Sequence, residues 1–454
     1  MPTLSLYDEL FRSQFTSVWD DGAHLSAMLQ VEAALARAEA AEGVIPIEAA
    51  QSIEACCNLD ILNLSELRIG AANAGNLAIP LVHQLTAAVR RRNADAAGFV
   101  HWGATSQDII DTATVLQFRA HMDILRQLME DVCRSLASLV DVHRRSVMPG
   151  RTWLQHAVPI TFGLKAAGWL DAMLRHWERL RTLRERLFVL QFGGAAGTLA
   201  SLGGSGLRVA QRLAQELDLA LPDIPWHATR DRFAEAAAFH GLLTGTLGKI
   251  GCDVSLAAQP EVGELAEPTV EGRGGSSTMP QKQNPVTSAV LLAAATRVPP
   301  LVNTMLSAMI QQHERALGAW HAEWEVLAEI CTLTGGALSA VAHILPGLRV
   351  DTTRMLQNVS LSKGSMMAES ISMALAAKIG RDEAYCLVKA AALASLERNT
   401  TLAEQLQGDA RITAHLSIDE IDRLLDPQNC LGSSAAFIGA VLARFEATFD
   451  TGLA

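Results

Sequence analysis

Residues Glu271 to Val286, EGRGGSSTMPQKQNPV, collect hydroxyls, an ammonium and a side-chain amide within one glycine-flanked segment. Ser276 and Ser277 supply the hydroxyls, Lys282 the positive charge and Asn284 the amide. Gly272, Gly274 and Gly275 precede the serines and admit backbone angles that other residues resist, while Pro280 and Pro285 keep the segment from continuing a helix. A loop loose at one end and stiff at the other is suited to closing over a ligand. Its N–H groups and its lysine suit a site where negative charge develops on an oxygen. In isolation, a Gly/Ser connector carrying a surface lysine would read the same way.

Two other stretches carry chemistry. In His101 to Ala113, HWGATSQDIIDTA, Thr105 and Ser106 stand where a helix begins, so their hydroxyls and the free N–H groups of the first turn would attract an anion. Asp108 and Asp111 follow in that turn, where the helix dipole favours acids. His101 fits either a substrate-side role or a packed core histidine. In Met148 to Thr161, MPGRTWLQHAVPIT, Gln155 and His156 sit beside Trp153. Asn73 and Asn76, in AANAGNLAIPLV, read equally as ligand contacts or as capping residues.

Taken together these stretches resemble the fumarase/aspartase superfamily. GSSTMPQKQNP is similar to its signature GSSxMPxKxNP, HWGATSQDIIDTA to the GxTSxDxxDTA element of the adenylosuccinate-lyase-like branch, and RTWLQHA to GRTHxQHA. The resemblance implies Ser276 as the base acting at carbon, with Lys282 and Asn284 holding a substrate carboxylate. It implies Thr105 and Ser106 as binders of a second carboxylate, with His101, Gln155, Trp153 and Arg315 on the substrate side. WHAEW, Trp320 to Trp324, would line the same pocket, and Glu323 and Glu325 read as exposed helix charges.

Trp153 is the informative departure, because the related lyases place a proton-transferring histidine there and indole exchanges no proton near neutrality. A lyase that expels an amine benefits from a general acid. A carboxylate, whose parent acid has a pKa of about 4, leaves without one. The wording of GNLAIPLV, HWGATSQDIIDTA and RTWLQHAVPITFG is most similar to the superfamily branch that closes a lactone ring on a muconate bearing a third carboxylate. That likeness implies a cofactor-free and metal-free homotetramer with active sites shared between subunits. An argininosuccinate- or adenylosuccinate-type lyase is the alternative enzyme, disfavoured by Trp153. A non-catalytic helical scaffold would have no need to keep serine, lysine and asparagine together.

The elements that must position these groups read as helices. Aromatics are 5% of the chain while hydrophobic residues reach 49%, so the apolar content rests on Ala, Leu, Val and Ile, the pattern of helix packed on helix. His24 to Gly43 is amphipathic through Leu25, Met28, Val31, Leu35 and Ala38. Phe118, Met122, Leu125, Met129, Val132, Leu136 and Leu139 form a coiled-coil-type seam. A second seam runs from Phe162 to Leu190, interrupted at His176, and a helix from Val286 to Ala316 is expected to bend at Pro299 and Pro300. The expected fold is all-α, with long central helices forming a bundle over 112–349, an N-terminal helical domain over 1–111 and a small C-terminal one over 350–454. FGGAAGTLASLGGSG, Phe192 to Gly206, follows a helix instead of a strand, so it reads as a packing turn and not a nucleotide loop.

The formal net charge of −11 argues against nucleic acid as a partner and means that an anionic substrate, here a small tricarboxylate, must be captured by a local basic site. The seven cysteines form no metal-spaced pair and read as reduced thiols. No signal peptide and no long uncharged apolar run is evident, so a cytoplasmic protein without a membrane span is expected.

Overall fold

The computed structural model describes residues 6–269, 273–275, 278, 279 and 281–449. Ser276 and Ser277 lie outside the described residues. The principal helices are α1 (Asp21–Ala41), α2 (Ser106–Val142), α3 (Phe162–Leu187), α4 (Asp231–Ala257), α5 (Val286–Ser307) and α6 (Ala319–Ile344). Strands β1 (Val147–Thr152) and β2 (Gln155–Thr161) form an antiparallel hairpin, and β3 (Leu265–Ala266) pairs with β4 (Arg349–Val350). The fold is the all-α bundle of long helices expected from composition and period.

Helix α2 has 37 residues and runs about 55 Å at about 1.5 Å per residue. Its seam from Phe118 to Leu136 is completely buried, but Leu139 is only half-buried and Val140 takes its place. An α-helix drifts against a strict heptad, so the buried stripe slips by one position after three repeats. Helix α3 buries its own seam from Phe162 to Leu187, and the seam-breaking His176 turns to Thr246 Oγ1 at 2.8 Å. Helix α1 begins where the Asp20 carboxylate accepts from the Ala23 N–H. It buries the expected apolar face, and with it Glu32 and Glu39.

The chain divides into two compact units. The first comprises Met1–Leu128, His176–Leu247 and Val290–Ala340, the second Met129–Arg175, Gly248–Ala289 and Val341–Ala454. In the first, the Phe118 and Phe233 rings lie 5.7 Å apart between α2 and α4, and the hydroxyls of Thr244 and Thr334 join α4 to α6 at 2.8 Å. A Cβ on Gly241 would stand 3.0 Å from Val302, so the glycine lets α4 approach α5 closely. In the second unit, Trp169 donates to Asp253 at 2.9 Å, tying α3 to α4. There the helices α7 (Ala368–Ile379) and α8 (Arg381–Glu397) close around Ile371, Leu375, Leu387, Val388, Leu402 and Leu406.

The expected helix from Val286 to Ala316 stops at Ser307, with Pro299 and Pro300 inside it. Residues 308–318 form an irregular connection, because the polar run QQHER offers no apolar face to bury. By length and composition, Val286–Ser307 and Ala319–Gly347 could each cross a membrane. The second is 67% buried within the fold and the first only 28%. Arg297, which pairs with Glu329 at 2.5 Å, interrupts the apolar run of the first. All seven cysteines are free, and Cys56, Cys133 and Cys331 are buried.

Candidate active site

In the first unit, the start of α2 is organised around Asp108. Its carboxylate accepts from the backbone N–H groups of Thr105 at 3.0 Å and of Gly193 and Gly194 at 2.9 Å each, and His227 Nε2 lies 2.7 Å away. The stretch expected to be a helix-packing turn is therefore a cradle for this chain's own carboxylate. Asp108, expected to serve the helix dipole, is buried and holds that loop in place. The hydroxyls of Thr105 and Ser106 have no partner among the described residues and are half-exposed, which leaves them available to a ligand.

Arg315 joins this group from the connection before α6. Its Nε donates to Gln107 Oε1 at 3.2 Å and its Nη2 to the Ala195 carbonyl at 3.0 Å. Gln107, one residue beyond Ser106, also donates to Asp111 Oδ2 at 3.1 Å and to the His227 carbonyl at 3.0 Å. Behind Gln107 lies a buried ion triad: Arg230 donates to Asp111 at 2.6 and 3.1 Å and to Glu323 at 2.6 and 3.0 Å. Burial works against the charge on Arg230, and the two carboxylates more than offset it. Burial pushes the Glu323 carboxyl up. Glu323 is thus a buried partner and not an exposed helix charge, whereas Glu325 is exposed as expected. A guanidinium, two hydroxyls and a helix N-terminus are groups of the kind that can hold a carboxylate.

His101, in the turn leading into α2, resolves as a half-buried residue with Nδ1 2.7 Å from Glu32 Oε1. Asn76 caps a helix by accepting from the Ile79 N–H at 3.2 Å. Glu323 and Trp324 line a cavity of about 830 Å³ that does not include Arg315, and Trp320 is buried as a donor to Asp111 at 3.1 Å. That cavity is also walled by Asp8, Asp20, Asp21, Glu325 and Glu329, which outnumber the Arg12 and Arg68 that share the wall. Its charge has the wrong sign for a polycarboxylate.

The second unit carries the other candidate residues. The hairpin closes through the pair Thr152 and Gln155, leaving Trp153 at φ 53° and Leu154 at φ 63° as a two-residue turn. Both angles match the mirror-image turn that normally demands Asn-Gly. Two bulky side chains in that region are strained, and both stand in solvent: Trp153 is 97% exposed and Leu154 77%. Below the turn, Arg151 grips the buried Glu264 at 2.8 and 2.6 Å, and Asn358 donates to the same carboxylate at 2.8 Å. Gln155 and His156 are exposed, and His156 is held below its usual range by partial burial and by Arg151.

In the signature loop, Gly274 takes φ 75° while its carbonyl accepts from the Asn284 N–H at 2.8 Å. A Cβ there would meet the Asn284 carbonyl oxygen at 2.8 Å, which explains the glycine. The Glu267 carboxylate caps α5, accepting from the N–H groups of Thr287 at 3.0 Å and Ser288 at 2.7 Å. Lys282 is exposed and its ammonium has no partner among the described residues. Ser276, the expected base, lies outside them. The first unit thus unites His101, Thr105, Ser106 and Arg315, and the second holds Trp153, Gln155, Lys282 and Asn284.

Sequence reasoning missed Glu32, Gln107, His227 and Arg230. The available signal was the presence of Glu32 and Glu39 within the Ala- and Leu-rich run of α1. Among the described residues, His121, His240 and Cys331 have ligand atoms within 4.8 Å of one another, as a metal site would. Their hydrogen bonds use up the lone pairs. Trp19 Nε1 donates to His121 Nδ1 at 3.2 Å, His121 Nε2 donates to His240 Nε2 at 2.9 Å, and His240 Nδ1 donates to the Ala236 carbonyl at 2.7 Å. Each ring is thereby fixed in one tautomer, with no nitrogen left for a metal.

The chain belongs to the lyase family within the fumarase/aspartase superfamily: the family described as "Lyase" matches residues 7–299 and that described as "Adenylosuccinate lyase C-terminus" matches residues 364–441. It is 50% identical over 448 residues to a 3-carboxy-cis,cis-muconate cycloisomerase of Pseudomonas aeruginosa, covering 98% of both chains. It is 49% identical over 427 residues to the Bradyrhizobium diazoefficiens protein of the same name, covering 94% of this chain and 95% of that one. The crystal structure of the 3-carboxy-cis,cis-muconate lactonizing enzyme from Pseudomonas putida superimposes with a TM-score of 0.93 at 43% identity, covering 97% of this chain and 99% of that one.

Proposed function

We propose that the chain is a cycloisomerase that lactonises 3-carboxy-cis,cis-muconate to 4-carboxymuconolactone, without a cofactor, in protocatechuate breakdown. One substrate carboxylate oxygen bonds to an alkene carbon. The displaced π pair moves through the neighbouring carbon into the carboxylate attached to it, giving an aci-carboxylate. A proton then adds at that neighbouring carbon. One C–O bond and one C–H bond form, one π bond is lost, and no oxidant is needed.

Lys282, Asn284 and the N–H groups of the signature loop stabilise the aci-carboxylate, and Ser276 or a water it holds delivers the proton. Ser276 needs its surroundings to tune its proton affinity. Thr105, Ser106, His101 and Arg315 hold the remaining carboxylates. Trp153 and Gln155 wall the site from the hairpin.

The observation that carries the reaction class is Trp153, a tryptophan 97% exposed at a strained hairpin tip. It presents apolar surface and no titratable proton, which fits a reaction whose reverse expels a carboxylate with a parent pKa of about 4. We infer a cytoplasmic homotetramer with active sites shared between subunits. The exposed hairpin tip supports this, as does α5, apolar yet only 28% buried within one chain.

The test is to mix the purified protein with 3-carboxymuconate and follow loss of conjugated-diene absorbance, with adenylosuccinate and argininosuccinate as controls. Turnover confined to the muconate is expected. Turnover of a control alone would overturn the reading.

A further inference from the structure

Glu32 stands in the middle of α1, 1% exposed, with Oε1 2.7 Å from His101 Nδ1 and with Oε2 lacking any hydrogen-bond partner among the described residues. Leaving a buried polar atom unpaired costs about 1–3 kcal/mol. His101 itself adopts φ 58°, a region that also costs a residue with a side chain. Two unfavourable terms therefore converge on one imidazole, whose ring is 18% exposed and four residues from Thr105. Packing alone would be better served by an apolar residue at position 32 and a glycine at position 101.

The chemistry of the pair indicates what is gained. A carboxylate can only accept, so His101 Nδ1 carries the proton that faces Glu32. In a neutral ring this leaves Nε2 as a bare lone pair, which repels an anion. In a cationic ring Nε2–H is a charge-assisted donor. Burial of the ring opposes the cation, and Glu32, with Asp108 at the start of α2, outweighs it. Asp108 is already engaged by His227 and the glycine N–H groups. Glu39, further along α1, is held in its acid form by burial and by Glu32, so it adds no second negative charge.

We propose that Glu32 is a positioning residue for the reaction, acting through His101 Nδ1 to keep Nε2–H a cationic donor to a carboxylate of the substrate. The assignment rests on the lactonisation proposed above and adds a residue outside the three motif stretches.

Glu32→Gln keeps an acceptor for Nδ1–H and removes the charge. Its KM for 3-carboxymuconate is expected to rise by about tenfold above the variant's own His101 midpoint and to return toward the parent value as pH falls below that midpoint, where the imidazole takes its proton from solvent, with kcat within about twofold. Glu32→Asp, which keeps the charge, should restore the parent pH profile of KM. Independently of substrate, NMR titration of isotope-labelled His101 should show its midpoint falling by about one pH unit or more in Glu32→Gln. A KM ratio that does not change with pH, or an unmoved His101 midpoint, overturns the proposal. If the parent protein turns over no 3-carboxymuconate, the lactonisation reading fails by itself. The His101 midpoint still reports whether Glu32 sets the charge of the ring.

Discussion

Arg151 grips Glu264 with two parallel hydrogen bonds, of 2.8 and 2.6 Å, two residues before the hairpin turns at Trp153. Glu264 has no exposed surface, so the pair fixes the base of the hairpin to the body of its unit. Removing Arg151 leaves that carboxylate buried with only Asn358 for company. Arg151→Ala is expected to lose about 3 kcal/mol of unfolding free energy. It should also lower kcat/KM about tenfold or more, through misplacement of the tip. Urea denaturation and steady-state kinetics on the same preparation check both.

The tip itself is built against its own backbone preference. Replacing Trp153 and Leu154 together by Asn and Gly gives the sequence that φ 53° and φ 63° call for. The double variant should gain about 1–2 kcal/mol in stability. It should still lose at least about tenfold in kcat/KM, since strained functional positions trade stability for activity. A more stable protein with undiminished kinetics would show that the indole has no part in the site.

Ser276→Ala tests the proton-transfer assignment. Turnover is expected to fall by about 10²–10⁴-fold. Binding of the lactone by calorimetry should stay within about threefold, because Lys282 and Asn284 remain. Near-normal turnover would refute the role of Ser276.

Glu39 offers a test on stability alone. It is 1% exposed, neither carboxyl oxygen has a hydrogen-bond partner among the described residues, and burial followed by the nearby Glu32 raises its pKa to about 9 from a usual 4.5. The folded protein therefore keeps a proton that the unfolded chain releases above about pH 4.5. This contribution to stability is complete below that pH and is lost as pH rises toward 9. Between about pH 7 and 9 the parent should lose up to about 1.4 kcal/mol per pH unit from this group. Glu39→Gln should flatten the slope by that amount. Equal slopes in chemical denaturation would mean that Glu39 is ionised in the fold.

What could be read from the residues alone was whatever is local along the chain. The seam of α2 was legible because packing at three- and four-residue spacing is written into consecutive turns, and it failed only at Leu139, where helical drift accumulates. Thr105 and Ser106 were legible as a helix start because the acid that follows them in the first turn is local to it. Asp108 was misread because its partners, Gly193, Gly194 and His227, lie 85, 86 and 119 residues away. Glu323 was misread for the same reason, since its partner Arg230 is 93 residues distant. Charge on a helix is exposed by default, and only tertiary contacts reveal which charges are enclosed.

The relay running from Trp19 through His121 and His240 to Ala236 sets an acid limit on the molecule. Burial holds both imidazoles below their ordinary range, His240 down to about 4. The unfolded chain takes up these protons near pH 6.5, so stability complete above that value drains away as pH falls toward 4. A proton added to His240 would set two N–H groups against each other across 2.9 Å. Souring the medium should therefore loosen the molecule from its interior outward, with core amides losing exchange protection before the C-terminal helices do.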